Sequence, residues 1–129
     1  MTSPLNHIIY VDDDAHIQEV AKLCLEMVGG FTVTCLQSGT ELIQNIASLQ
    51  ADVILLDVMM PQKDGPATLQ ELKENADFKT PVIFMTARVQ PDDIKKYLQM
   101  GAAGVVAKPF DPMTISDQIN TIWETLNGN

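Results

Sequence analysis

Five short apolar runs recur along the chain. They are Ile8-Ile9-Tyr10-Val11, Phe31 to Leu36, Val53-Ile54-Leu55-Leu56, Val82-Ile83-Phe84-Met85 and Val105-Val106-Ala107. Each has strand length, and helical spacing fills the intervals. Ile17, Val20, Ala21, Cys24 and Val28 step by three and four. Leu42, Ile43 and Ile46 mark a second helix, Leu69 and Leu72 a third, and Ile94 and Leu98 a fourth. Ile115, Ile119, Ile122 and Leu126 make the cleanest stripe, in the last. Gly29-Gly30 and Gly101 stand where the first and fourth helices should stop. Pro91 and Pro112 suit first helical positions, with Asp111 as an N-cap. Strands alternating with helices call for right-handed crossovers and a parallel sheet covered on both faces. Runs one, three and four are continuously apolar, as central strands buried on both faces should be. Run two alternates apolar with Thr32 and Thr34, and run five is short, so both suit edges. The strand order 2-1-3-4-5 satisfies these constraints.

Composition narrows the class. The 129 residues suit one domain, and 46% apolar against 19% charged residues allows a true core. A net charge of -9 leaves no basic stripe for phosphate backbones, so neither nucleic acid nor an anionic membrane is expected as a partner. Cys24 and Cys35 lack metal-ligand spacing and read as small reduced core residues. Met1-Thr2-Ser3-Pro4 lacks the basic and apolar regions of a secretory leader, and no apolar run is long enough to span a bilayer. The expectation is a soluble, cytoplasmic, single-domain protein.

The chemistry lies where the apolar runs stop. Run one ends at Asp12-Asp13-Asp14, run three at Asp57, run four at Thr86 and run five at Lys108. Singly, these could be a solvated loop, a turn residue, a β-branched strand end and a surface lysine. A parallel sheet, however, gathers all strand C-termini on one rim, where open α/β sheets bind ligands. Two carboxylates about 4 Å apart repel by roughly 4 kcal/mol at an effective dielectric of 20, so converging acids want a cation. An all-oxygen cluster selects a hard ion, Mg²⁺ before others. With the ion and Lys108 in place, the charges of Asp12, Asp13 and Asp57 are balanced. A phosphoryl group of about -2 on Asp57 then adds roughly one negative charge. Thr86 and backbone N–H groups can meet it as donors, and the Asp57 carboxylate can serve as a nucleophile of the aspartyl-phosphate type.

In these residues the chain resembles the receiver domain of two-component response regulators, of the stand-alone type. The resemblance is carried by Val11-Asp12-Asp13-Asp14, Leu56-Asp57-Val58-Met59-Met60-Pro61, Asp64-Gly65, Thr86-Ala87 and Lys108-Pro109-Phe110, over nearly the whole length. It implies a flavodoxin-like (βα)5 doubly wound α/β fold. It implies that Asp57 accepts phosphate from a phosphohistidine on a sensor histidine kinase or phosphotransfer protein. Mg²⁺ would be held by Asp13, Asp57 and the Met59 backbone carbonyl, with Asp12 acting through metal-bound water. Thr86 and Lys108 would sense the phosphoryl group, and the Lys108–Pro109 bond would be cis.

Two positions stand apart from that pattern. Receivers often carry Tyr or Phe three residues before the lysine as a rotameric switch; here Val105 stands there, so the packing response must differ. Met59 and Arg88, two residues beyond Asp57 and Thr86, fall at the pocket rim, where their bulk would hinder attacking water. The chain runs only three residues past Leu126, which suggests no output domain. Output to an unknown protein effector would then pass through the face of the fourth helix, fifth strand and fifth helix, as a monomer or a phosphorylation-dependent dimer. Tyr97 and Trp123 fall on those helices and read as packing residues.

Other classes fit less well. A haloacid-dehalogenase-like phosphatase would use Asp12 and Asp14 with Thr86 and Lys108. It leaves Asp57 unexplained and finds His16 where its motif prefers Thr or Val. A flavin or dinucleotide binder would need a Gly-rich loop after the first strand. A phosphorylation-independent adaptor usually lacks one of the site residues, and all are present. His7 and His16 show no partner spacing and read as surface or cap residues.

Overall fold

In the computed structural model, residues 4–127 are described; Met1 to Ser3, part of the N-terminal stretch considered above, lie outside them. Strands and helices alternate: β1 His7–Val11, α1 Ala15–Met27, β2 Thr32–Leu36, α2 Gly39–Asn45, β3 Val53–Asp57, α3 Gly65–Lys73, β4 Val82–Thr86, α4 Pro91–Gln99, β5 Gly104–Ala107 and α5 Ile115–Leu126. The five strands are parallel, in the order β2-β1-β3-β4-β5. The order expected from the apolar runs is the one found.

Alternate residues of the central strands divide the interior into two layers. Ile8, Tyr10, Leu55, Ile83, Met85 and Val106 pack with Ala21 and Leu25 of α1 and Ile115 and Ile119 of α5. Ile9, Val11, Ile54, Leu56 and Phe84 pack with Leu42 of α2, Leu69 and Leu72 of α3 and Tyr97 of α4. The two layers account for the unbroken apolar runs, since both faces of β1, β3 and β4 need covering. Among the described residues, no helix is long and apolar enough to cross a membrane.

Four details depart from the expected pattern. First, α5 begins at Ile115, with Asp111 and Pro112 before it in a separate turn. The Asp111 side chain accepts from the Met113 N–H at 2.9 Å, and its carbonyl accepts from Thr114 and Ile115, which closes that turn ahead of the helix. Second, the inward face of α1 is Gln18, Ala21 and Leu25, while Val20 is 49% exposed. Asp14 caps this helix by accepting from the His16 and Ile17 N–H groups, and Gln18 points inward because two backbone carbonyls await its amide. Third, the buried residue of α4 is Tyr97; Ile94 is half-buried and Leu98 exposed. Fourth, Cys24 and Cys35 are half-buried free thiols at the margin of the core, and burial pushes the Cys35 thiol pKa up. The helix ends at Gly30 and Gly101 fall as expected, both at positive φ.

Candidate functional site

Because the strands are parallel and in register, Asp12, Asp57, Thr86 and Lys108 all emerge on one rim. Asp12 follows β1, Asp57 and Thr86 end β3 and β4, and Lys108 follows β5. The Lys108 N–H donates to the Thr86 carbonyl at 2.9 Å, which ties the lysine backbone to the neighbouring strand end. The Lys108–Pro109 peptide is cis.

The carboxylates are buried and multiply bonded. Asp57 is 3% exposed; its Oδ1 accepts from the Met59 N–H at 3.2 Å and its Oδ2 from Lys108 Nζ at 3.1 Å. Asp12 is 1% exposed; its Oδ1 accepts from the Asp14 N–H at 3.0 Å. Its Oδ2 accepts from the Tyr10 hydroxyl at 3.3 Å and lies 3.5 Å from Lys108 Nζ. Asp13 is exposed, yet one oxygen from each of Asp12, Asp13 and Asp57 falls within 4.8 Å of the others.

One lysine does not balance this cluster. Burial raises the Asp57 pKa, Asp12 adds to the rise, and Lys108 only partly opposes it. Burial alone would lower the Lys108 pKa, but its bond to Asp57 and the charges of Asp57 and Asp12 outweigh that and raise it. Burial thus shifts the acid toward its protonated form, and the two neighbouring carboxylates do the same for the base. The donor set is all oxygen, which fits a hard divalent cation such as Mg²⁺.

The loop after β3 is held at its base. Val58 N–H donates to the Met85 carbonyl and Gly65 N–H to the Val58 carbonyl, at 3.0 and 2.9 Å. Asp64 caps α3 by accepting from the Ala67 N–H at 2.9 Å. A Cβ on Gly65 would lie 2.8 Å from the Asp57 carbonyl oxygen and 2.9 Å from the Val58 Cα. Only glycine lets α3 start so close beneath the acid.

Around the rim, Thr86 is 3% exposed and its Oγ1 accepts from the Arg88 N–H at 3.0 Å, leaving its own proton to donate. Met59 is 76% exposed, and Arg88, two residues past the end of β4, is exposed as well. Val105 sits half-buried opposite Phe84 in the strand register. The Phe84 ring meets the Tyr97 ring edge-on, with centroids 5.4 Å apart and planes at 84°. His7 lies at the opposite end of β1, bonded to the Gln50 carbonyl and the Thr34 hydroxyl. His16 is an exposed residue of the α1 first turn.

The match to known proteins decides the family. A family model described as the response regulator receiver domain matches residues 8–120. The chain belongs to that family. Among curated relatives, this receiver is 35% identical over 127 residues to response regulator Rre1 of Synechocystis, covering 98% of this chain and 53% of that protein. Among solved structures it superposes on the chemotaxis response regulator CheY4 of Vibrio cholerae with a TM-score of 0.83 at 25% identity, covering 92% of this chain and 99% of that one. It superposes equally well on the Francisella response regulator 1452 receiver domain, with a TM-score of 0.83 at 27% identity over 94% of this chain and 98% of that one. The receiver spans about half the length of the first curated relatives it matches. It is thus a receiver domain of two-component signalling, a family that interacts with histidine kinases or phosphotransfer proteins.

Two residues of the site were not anticipated. The Tyr10 hydroxyl bonds Asp12, and the Gln18 amide donates to the Asp12 carbonyl at 2.6 Å and the Leu36 carbonyl at 2.8 Å. Burial and the neighbouring Asp12 raise the Tyr10 pKa well above its ordinary value, so the hydroxyl stays a donor. The available signal was a polar residue, Gln18, four positions after the helix cap and in step with Ala21 and Leu25.

Proposed function

We propose that Asp57 accepts a phosphoryl group from a phosphohistidine on a histidine kinase or phosphotransfer protein. The observation that carries this role is the Asp57 carboxylate itself: buried at a strand end, bonded to Lys108 on one oxygen, and within reach of Asp12 and Asp13. In the transfer, an Asp57 oxygen forms the new P–O bond while the P–N bond to the imidazole breaks, and the imidazole leaves with the bonding electrons. Asp13, Asp57 and the Met59 carbonyl would hold Mg²⁺, with Asp12 reaching it through water. When bound, that ion supplies positive charge to the carboxylates and the incoming phosphoryl oxygens. Lys108 and the Thr86 hydroxyl then donate to phosphoryl oxygens, which is the electrostatic help that phosphoryl transfer chiefly needs. Hydrolysis of the acyl phosphate by water restores the carboxylate, and Met59 and Arg88 stand at the rim where that water would approach. The catalysis therefore belongs to the receiver itself, acting in the cytoplasm.

Output passes to a protein effector by surface contact, through the face built from α4, β5 and α5. The exposed Leu98 and half-buried Ile94 and Val105 supply its apolar part. The test is incubation with acetyl phosphate, with and without Mg²⁺, followed by intact mass. One phosphoryl adduct is expected, dependent on Mg²⁺ and absent from Asp57→Ala. Steady phosphate release from monoesters, lost in Asp12→Ala and retained in Asp57→Ala, would instead make the chain an Asp12 phosphatase. Adduct formation unaffected by Asp57→Ala would end the assignment of Asp57.

A further inference from the structure

Two buried side chains contact Asp12 without any part in the phosphoryl chemistry. Gln18 comes from α1, inside the cap made by Asp14, and is nine-tenths buried. Both protons of its amide are used, one on the Asp12 carbonyl at 2.6 Å and one on the Leu36 carbonyl at 2.8 Å. Leu36 also accepts from the Asp12 N–H at 3.1 Å, so the ends of β1 and β2 are bonded to each other and to the helix. The Tyr10 hydroxyl, from a residue with no exposed surface, reaches Asp12 Oδ2 at 3.3 Å. With the Asp14 N–H on Oδ1, Asp12 is held at its peptide and at both carboxylate oxygens.

We propose that Gln18 and Tyr10 are positioning residues for the acid cluster. Gln18 fixes the backbone at Asp12, and so the point from which Asp13 projects; Tyr10 fixes the Asp12 carboxylate against Asp57. A helix amide is well suited to the task, because it orients the loop without adding charge next to three acids. The buried phenol is a neutral donor of the same kind. Tyr10 also shares Oδ2 with Lys108, which lies 3.5 Å from that oxygen but 3.1 Å from Asp57 Oδ2. The shared oxygen leaves the ammonium closer to Asp57, where a phosphoryl group would arrive. Groups that orient metal ligands from behind matter to metal affinity nearly as much as the ligands do.

The proposal rests on the receiver role of the cluster, and Mg²⁺ affinity separates the two. The full chain is titrated with Mg²⁺ while the Asp13 and Met59 amide shifts are followed by NMR. Gln18→Met keeps the length and removes both donors; its Mg²⁺ Kd is expected to rise roughly tenfold. Tyr10→Phe removes one oxygen from a filled site and should raise Kd by about threefold, since its bond is the longer. Val82→Ala, in the other core layer and at the opposite end of β4 from Thr86, serves as the control for a loosened core and should leave Kd unchanged. Kd within a factor of about 1.5 of the unaltered chain in Tyr10→Phe, with Gln18→Met either equally unaffected or unfolded, overturns the proposal. A comparable rise in Val82→Ala overturns it too. An unaltered chain that binds Mg²⁺ but forms no Asp57 adduct with acetyl phosphate refutes the phosphoacceptor role alone. One that forms the adduct, with both variants binding Mg²⁺ normally, refutes the positioning role alone.

Discussion

Asp57→Asn should make the metal-free receiver more stable at pH 7. Asparagine has nearly the shape of aspartate without its charge. In the folded chain, the ionised Asp57 gains roughly 5 kcal/mol of gross attraction to Lys108 at 3.1 Å, at an effective dielectric of 20. Against this stands the repulsion from Asp12, about 3.5 kcal/mol at a separation of 4.8 Å, the outer limit of the cluster. Removing a carboxylate from water adds several kcal/mol more. The balance disfavours the charged form, in line with the raised Asp57 pKa. A gain of about 2 kcal/mol is expected, or roughly 1 M in the urea midpoint for a protein of this size. The assay is urea unfolding in EDTA at pH 7, repeated with Mg²⁺ and across pH. Saturating Mg²⁺ adds about 2.7 kcal/mol to the unaltered chain at one hundred times its Kd and less to the variant, so the gap should close or reverse. The gap should also shrink as pH falls. A carboxyl with a raised folded pKa binds its proton more tightly when folded, so its ionisation destabilises the fold above that pKa. The penalty vanishes as pH drops below the unfolded value of 3.8. A variant that is no more stable than the unaltered chain in EDTA at pH 7 would refute the claim that Lys108 fails to offset the cost of burying the Asp57 charge.

Three further substitutions test other parts of the structure. Gly65→Ala pushes a Cβ to 2.8 Å from the Asp57 carbonyl. It should destabilise by about 2 kcal/mol and slow adduct formation with acetyl phosphate, and an unaltered rate would mean the α3 contact does not position Asp57. Ser116 Oγ is buried with no hydrogen-bond partner, so Ser116→Ala should raise stability by about 1 kcal/mol in urea unfolding; a loss would contradict the assignment. Met59→Asn should speed loss of phosphate from the acyl adduct, followed by intact mass after donor removal, because a smaller polar side chain admits water at the rim. An unchanged rate would make Met59 a passive rim residue.

The rim was legible because each central run of apolar residues stops abruptly. Asp12, Asp57, Thr86 and Lys108 needed only a parallel sheet to be brought together, and the apolar runs themselves predicted that sheet. Helix rotation was harder to read. The apolar spacing of α1 favours a face containing Val20 and Val28, but the inward position goes to Gln18. What turns it inward is the Leu36 carbonyl, eighteen positions further along the chain. Tyr10 was hidden differently: inside an apolar run a tyrosine looks like core, and its hydroxyl becomes meaningful only beside Asp12. In α4 the aliphatic residues are only half-buried (Ile94) or exposed (Leu98), and the aromatic Tyr97 takes the interior. Spacing alone could not rank them, because the choice depends on Phe84, which offers a ring for Tyr97 to meet. The displaced start of α5 has a local cause, since the carbonyl and side chain of Asp111 together complete a turn before the helix begins.

The wide sequence separation of the rim bears on how the chain acquires its structure during synthesis. Lys108 lies 96 residues from Asp12 and 51 from Asp57, and it follows an edge strand. A chain leaving a ribosome N-terminus first exposes β1 and β3, and with them both buried acids, well before any part of β5. The adjacent strands β1 and β3 by themselves bring Asp12 and Asp57 together without the lysine that follows β5. Their repulsion works against consolidation at that stage and is relieved only when β5 joins β4. The last strand to arrive therefore brings the counter-charge as well as the sheet edge.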